Sequence, residues 1–181
     1  MNLSEKTLSE NILFTGNIIS LNLDEVELPN GKTATREVVK HPGGVCVAAL
    51  NDDDRLLFVR QYRYPYGELL LELPAGKLSP GEDPLECGKR ELKEETGATA
   101  EHYESLGCLY PSPGYCGEII HMFYASGLSY GDMKPDEDEF LEVEHIPLEK
   151  AVQMVLDNEI TDAKTQTAVL KVAEKRRRDL L

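Results

Sequence analysis

The chain is poor in the residues that build thiolate and imidazole metal sites. Its four cysteines, Cys46, Cys87, Cys108 and Cys116, form no C-x-x-C pair, and its four histidines, His41, His102, His121 and His145, show no H-x₃-H spacing. A zinc site is therefore not expected, and thiols kept reduced suit a cytoplasmic chain. No apolar run approaches the roughly 18 residues that span a bilayer. The opening residues, MNLSEKTLSE, lack both a basic start and an apolar segment, so neither a secretory signal nor a membrane partner is expected. Positive charge is also scarce, with 19 Lys and Arg against 33 Asp and Glu and a net charge of −14. Such a field repels phosphate backbones, which argues against nucleic acid as a partner.

What is present fits one domain, or one domain with a small appendage, since 181 residues with 41% hydrophobic content can bury a core. Residues 10–40 read as a hairpin or small sheet, with β-branched and large apolar residues on either side of a Pro29-Asn30-Gly31 turn. Three strand-length runs follow, GGVCVAAL (43–50), RLLFVRQYR (55–63) and ELLLELPAG (68–76). The Gly43-Gly44 pair reads as a turn, because no G-x₄-G-K-[ST] follows it. A helix is predicted from Asp83, which can cap it, with Pro84 in its first turn and Glu86 placed for a capping box, ending at Thr96-Gly97.

Strands are predicted at 102–110, 119–128 and 139–148, with helices at 148–158 and 162–178. The basic run Lys175–Arg178 complements the dipole of the last helix. The fold class is α/β (α+β), helices packed on a curved mixed sheet.

The chemistry concentrates between Gly76 and Ala98, GKLSPGEDPLECGKRELKEETGA. Helical spacing stacks Glu91, Glu94 and Glu95 along one side, with Glu82 near the helix entrance. Like charges so placed repel, and more strongly in a water-poor cleft. With only oxygen donors on offer, a hard divalent ion, Mg²⁺ or Mn²⁺, is the natural counter-charge. Seen alone, such a helix reads more readily as a solvated acidic face.

The same residues match without departure the pattern G-x₅-E-x₇-R-E-U-x-E-E-x-G-U, where U is bulky or apolar: Gly76, Glu82, Arg90, Glu91, Leu92, Glu94, Glu95, Gly97 and Ala98. The chain thus resembles the Nudix hydrolases. The resemblance implies a Nudix-type sheet sandwiched between helices over 43–181, with 1–42 as an N-terminal β extension for dimerisation. It implies hydrolysis of a diphosphate joining a nucleoside to another group. Glu91, Glu95 and the Ala75 carbonyl would be metal ligands, Glu94 a further ligand or water-orienting group, and Arg90 the group that holds the catalytic carboxylates in place.

Outside the box, RQYR (60–63), LELPAGKL (71–78), PSPG (111–114) and the acidic stretch 136–151 resemble bacterial ADP-ribose pyrophosphatases, where a proline lies about fifteen residues past the box, as Pro113 does here. In that subgroup Arg63 would contact the substrate phosphates, Glu118 would orient the terminal ribose, and Arg36 would reach into the partner subunit's site of a homodimer. Glu137 aligns best with the catalytic base and Glu139 with an additional metal ligand, Glu139 being the alternative base. ADP-ribose would give AMP and ribose 5-phosphate. Tyr62, Tyr64 and Tyr66 could stack on adenine or simply pack. Two rival readings keep the fold: another substrate, such as GDP-mannose or a dinucleoside polyphosphate, or a nucleotide-binding module without turnover.

Overall fold

A run of short β-prone segments opens the chain, and in the computed structural model, which describes residues 3–134 and 139–178, they pair locally. Strands β1 (Lys6–Ser9) and β2 (Ile12–Thr15) lie end to end along one edge of β3 (Ser20–Glu27), and β4 (Thr33–Lys40) takes the other edge. Gly31, at φ 78°, makes the β3–β4 turn that Pro29-Asn30 begins. This sheet belongs to a unit comprising Met1–Gly43 and the loop Tyr110–Ile119. The loop is laced to β4, since the Val39 N–H donates to the Tyr115 carbonyl at 2.8 Å and the Gly117 N–H to the Val39 carbonyl at 2.9 Å.

The second unit, Gly44–Leu109 with Ile120–Leu181, holds the main core. Its strands are β5 (Gly44–Ala49), β6 (Arg55–Arg63), β7 (Glu68–Glu72), β8 (Ala75–Lys77), β9 (Ala98–Leu109), β10 (Ile120–Tyr130) and β11 (Leu141–Pro147), and its helices α1 (Pro84–Thr96), α2 (Leu148–Leu156) and α3 (Ala163–Arg177). They form one mixed sheet, β8-β5-β10-β9, in which only β5 and β10 are parallel, and one antiparallel sheet, β11-β6-β7.

Strand β5 is buried along its whole length, as a near-continuous apolar run covered on both faces should be. Cys46 and Ala48 join Leu56, Phe58, Leu73, Met122 and Val169 in the core under α2 and α3, whereas Val47 and Ala49 join Leu57 and Leu92 under α1. The two-residue period of a strand thus sorts one segment between two helix layers.

Three local details depart from expectation. Strand β9 starts at Ala98, immediately after the α1 stop, because Ala98 already pairs with Tyr130 of β10. Glu86 does not complete a capping box; its carboxylate takes the Lys89 ammonium at 2.7 Å, while Asp83 alone accepts from the Leu85 and Glu86 N–H groups. Of the three alternate tyrosines only Tyr62 lies on a strand; Tyr64 and Tyr66 sit in an exposed turn closed by N–H groups of Tyr66 and Gly67 on the Arg63 carbonyl. No described helix is long and apolar enough to cross a membrane.

Candidate active site

Helix α1 presents the carboxylates in two different settings. Its buried face carries Cys87, Gly88, Glu91, Leu92, Glu95 and Thr96, so the i, i+4 pair Glu91 and Glu95 is turned toward the protein along with an apolar neighbour. Glu94 lies at the margin, half-buried. The helix ends at Gly97, whose φ of 70° is left-handed and whose N–H returns to the Lys93 carbonyl. A side chain at Gly97 would also meet the carbonyl oxygen of Gly131.

Arg90 is the hub of the outer set. Its Nε and Nη2 donate to the two oxygens of Glu82 at 2.9 and 3.2 Å, and its Nη1 donates to Glu94 at 2.9 Å and lies 2.7 Å from Glu91 Oε1. Bonds from Arg90, joined by the Ser79 N–H, hold the Glu82 carboxyl down to about 2. Arg90 itself is raised, by Glu82 first. One planar fork therefore fixes three carboxylates.

Glu95, deeper in, lacks such a bonded cation. Glu95 is 1% exposed, and its Oε2 accepts the Ala75 N–H at 3.0 Å. Burial pushes its pKa up to about 8 against that hydrogen bond, with Glu91 and Glu139 adding and Arg63 opposing. Burial likewise raises Glu91, opposed by Arg90 and reinforced by Glu94 and Glu139. Gly76 is needed here: a Cβ would fall inside the Glu91 carboxylate. The absent side chain is what lets that carboxylate lie against β8 beside Ala75.

The chain leaving β10 is tied back to α1 by the Gly131 N–H on the Gly97 carbonyl, 2.8 Å, and the Lys134 N–H on the Glu94 carbonyl, 3.0 Å. Past it, Glu139 is exposed yet near enough to Glu91 and Glu95 to raise both. Glu137, the other expected base, lies outside the described residues.

Arg63, at the end of β6, donates through Nε and Nη2 to Glu72 at 2.6 and 2.7 Å. Lys164 of α3 also donates to Glu72 and lies 3.0 Å from Asp162. Burial would raise the Glu72 pKa, but Arg63 and Lys164 outweigh it and hold it at about 2. Neither Glu72 nor Lys164 stands out in the sequence as a site residue. Ninety-two positions separate them, and the only local signal is a glutamate inside an otherwise apolar strand run.

Three expected substrate contacts belong to the first unit. Arg36 forks onto Glu5 at 2.9 and 2.5 Å. One oxygen of Glu118 lies 3.5 Å from His41 Nδ1, which also accepts the Gly43 N–H at 3.0 Å. Pro113 is exposed within the loop bonded to β4.

The donor chemistry at Glu91, Glu95 and the Ala75 carbonyl suits a hard divalent cation: buried oxygen donors of one sign, raised in pKa, with no basic side chain bonded to Glu95 among the described residues. Arg90 is bonded to the outer carboxylates, and no three ligating side chains are gathered into a ready-made cage among the described residues.

Comparison with known proteins agrees with this architecture. Residues 40–168 match the Nudix domain, and residues 5–39 match the nucleoside diphosphate sugar hydrolase N-terminal domain. The chain is 46% identical to the ADP-ribose pyrophosphatase of Bacillus subtilis over 92% of this chain and 91% of that one. It is 44% identical to the methanol dehydrogenase activator of Bacillus methanolicus over 91% and 90%, and 37% identical to the ADP-ribose pyrophosphatase of Mycobacterium tuberculosis over 92% and 82%. A crystal structure of an ADP compounds hydrolase superposes over the whole of both chains with a TM-score of 0.85 at 23% identity, which shows the shared fold. The chain belongs to the Nudix family.

Proposed function

We propose that this enzyme hydrolyses ADP-ribose to AMP and ribose 5-phosphate, with Mg²⁺ or Mn²⁺ as cofactor, as a cytoplasmic homodimer. The observation that carries the reading is the pair Glu91 and Glu95, stacked on the buried face of α1 beside Ala75, with Glu95 accepting the Ala75 N–H and bonded to no basic side chain among the described residues. The relatives named for ADP-ribose at 46% and 37% identity support the substrate. The exposed apolar side chains of Ile12, Leu13 and Phe14 on the edge strand β2 support pairing through the N-terminal sheet.

Glu91, Glu95 and the Ala75 carbonyl would hold the cation, with Glu139 as an additional ligand. The cation would neutralise the diphosphate and lower the pKa of a water. Arg90 keeps Glu82 and Glu94 in place, so its charge is spent on those carboxylates and not on the substrate. Arg63 would bind phosphate, Glu118 would orient the terminal ribose, with Pro113 in the same loop, and Arg36 would serve the partner's site. Glu137, or Glu139, would take the proton of the attacking water as the bond to the bridging oxygen breaks.

A second substrate is favoured by one observation, the 35% identity to a GDP-mannose pyrophosphatase of Yersinia enterocolitica over 72% of this chain. Phosphomonoester release from ADP-ribose and GDP-mannose, measured side by side with Mg²⁺, separates them. A kcat/KM for ADP-ribose at least tenfold higher supports the proposal; the reverse ranking overturns it.

A further inference from the structure

We infer that Glu72 and Lys164 are positioning residues for the reaction, a buried clamp that fixes the Arg63 guanidinium so that its uncommitted nitrogen faces the substrate phosphate. The inference rests on the reading above, in which Arg63 meets the diphosphate.

Register first shows why Arg63 needs holding. Arg63 pairs with Glu68 and Glu72 pairs with Val59, on one face of the β6–β7 ribbon. Arg63 must therefore lie back along its own strand to reach Glu72, an extended posture that a free arginine would leave for many others. Two parallel N–H···O bonds of 2.6 and 2.7 Å, to a carboxylate 1% exposed, remove that freedom. Nε and Nη2 are spent on Glu72, and Nη1 carries no hydrogen bond among the described residues. The guanidinium still keeps 37% of its side-chain exposure and acts electrostatically on Glu95. It is thus anchored on one edge, with Nη1 left unbonded among the described residues, and electrostatically coupled to Glu95.

Lys164 has a separate part. A lone carboxylate facing Arg63 would cancel its attraction for an anion. Lys164, 12% exposed on the first turn of α3, takes the same Glu72 oxygen that Nη2 uses, so Arg63 is held without being the sole counter-ion. Asp162 places Lys164, because it caps α3 through the Thr165 N–H at 2.9 Å and pairs with Lys164 through its other oxygen.

The cluster exceeds what joining α3 to β7 requires. A neutral link already does that: the Leu73 N–H donates to Thr165 Oγ1 at 2.9 Å. Burying two further charges, Glu72 and Lys164, to the same end is costly and gives little net stability over apolar packing. What the charges add is direction, a guanidinium aimed in advance.

The test is a double-mutant cycle on the full chain, reading the Kd of the non-hydrolysable α,β-methylene analogue of ADP-ribose with Mg²⁺, alongside kcat and KM for ADP-ribose. E72Q is expected to weaken binding about tenfold, the worth of one charge-assisted hydrogen bond, and R63A by at least as much. KM should rise accordingly, with kcat changed far less. R63A/E72Q should bind no worse than R63A, because Glu72 acts through Arg63. K164M should weaken binding less than E72Q, and K164R should restore it.

If R63A binds as the wild type does, the phosphate role of Arg63 fails and the clamp fails with it. If R63A is weakened while E72Q is not, or the two losses simply add, the positioning role alone is overturned. Should E72Q fail to show a native melting transition, the same cycle run with K164M and R63A decides between the same outcomes.

Discussion

Two glutamates in the second unit, Glu72 and Glu95, are equally buried at 1% exposure, and they end in opposite states. Glu72 has two bonded cationic partners and sits at about 2; Glu95 has one backbone N–H, two acidic neighbours and only the unbonded influence of Arg63, and sits at about 8. Burial is the first influence on both and pushes both upward. The difference lies in the company each keeps. A buried carboxylate supplied with cations is already compensated and can hold them in place, whereas one denied them is a place for a cation to come.

The largest effect is expected at Glu95. E95Q keeps an acceptor for the Ala75 N–H but removes an anionic oxygen donor, and hydrolysis of ADP-ribose with Mg²⁺ should fall about a thousandfold, the upper range for removing one preorganised electrostatic contact. Its melting temperature should hold at pH 7, where a carboxyl raised to about 8 is already mostly neutral, and should exceed that of the wild type only in more alkaline buffer, where Glu95 would ionise without a cation. Activity and thermal unfolding on one preparation check both halves.

E72Q should do the reverse to stability. The drop from an ordinary 4.5 to about 2 is worth on the order of 3 kcal/mol. Because the folded pKa lies below the unfolded one, this contribution is whole above pH 4.5 and drains away as pH falls toward 2. Urea unfolding at several pH values should show E72Q well below wild type at pH 7, with the gap closing in acid. A gap that stays constant between pH 7 and pH 3 would contradict the pairing.

The glycines sharpen the contrast on the Glu91 side. G76A puts a methyl group where the Glu91 carboxylate lies, and the forced shift should cost about 1–3 kcal/mol, with a loss of activity larger than that stability loss explains. G97A meets both a left-handed φ of 70° and the Gly131 carbonyl, and should lower stability by a similar amount, about 1–3 kcal/mol. Chemical denaturation with parallel assays distinguishes them.

The smallest effect belongs to the exposed pair of Arg36 and Glu5. Solvent screens it, so E5Q should leave the melting temperature of the protein unchanged within error, against the clear loss expected of E72Q.

Much of this was legible in the residues themselves. Strand β6 is read over its full length of 55–63, and α1 from Asp83 to Gly97, because cap, proline, periodicity and glycine stop all point the same way. The spacing of Glu91 and Glu95 announces a carboxylate stack, and the helix turns both inward. What spacing could not separate is Glu94 from Glu95. Adjacent in sequence, one is bound by Arg90 and the other faces the interior.

Glu72 and Lys164 were out of reach for another reason: their pairing joins β7 to α3 across the fold, and no local period encodes a partner 92 residues away. The steric demand at Gly76 is likewise a property of what lands on it. The Glu86 capping box failed because Lys89, three residues on, offers that carboxylate a full charge in place of a backbone N–H.

The most direct test of the central contrast is Mn²⁺ binding, followed by electron paramagnetic resonance, in wild type, E95Q and E72Q at pH 8. Wild type and E72Q should bind the ion while E95Q loses most of its affinity. Undiminished binding by E95Q, together with its loss in E72Q, would contradict that contrast.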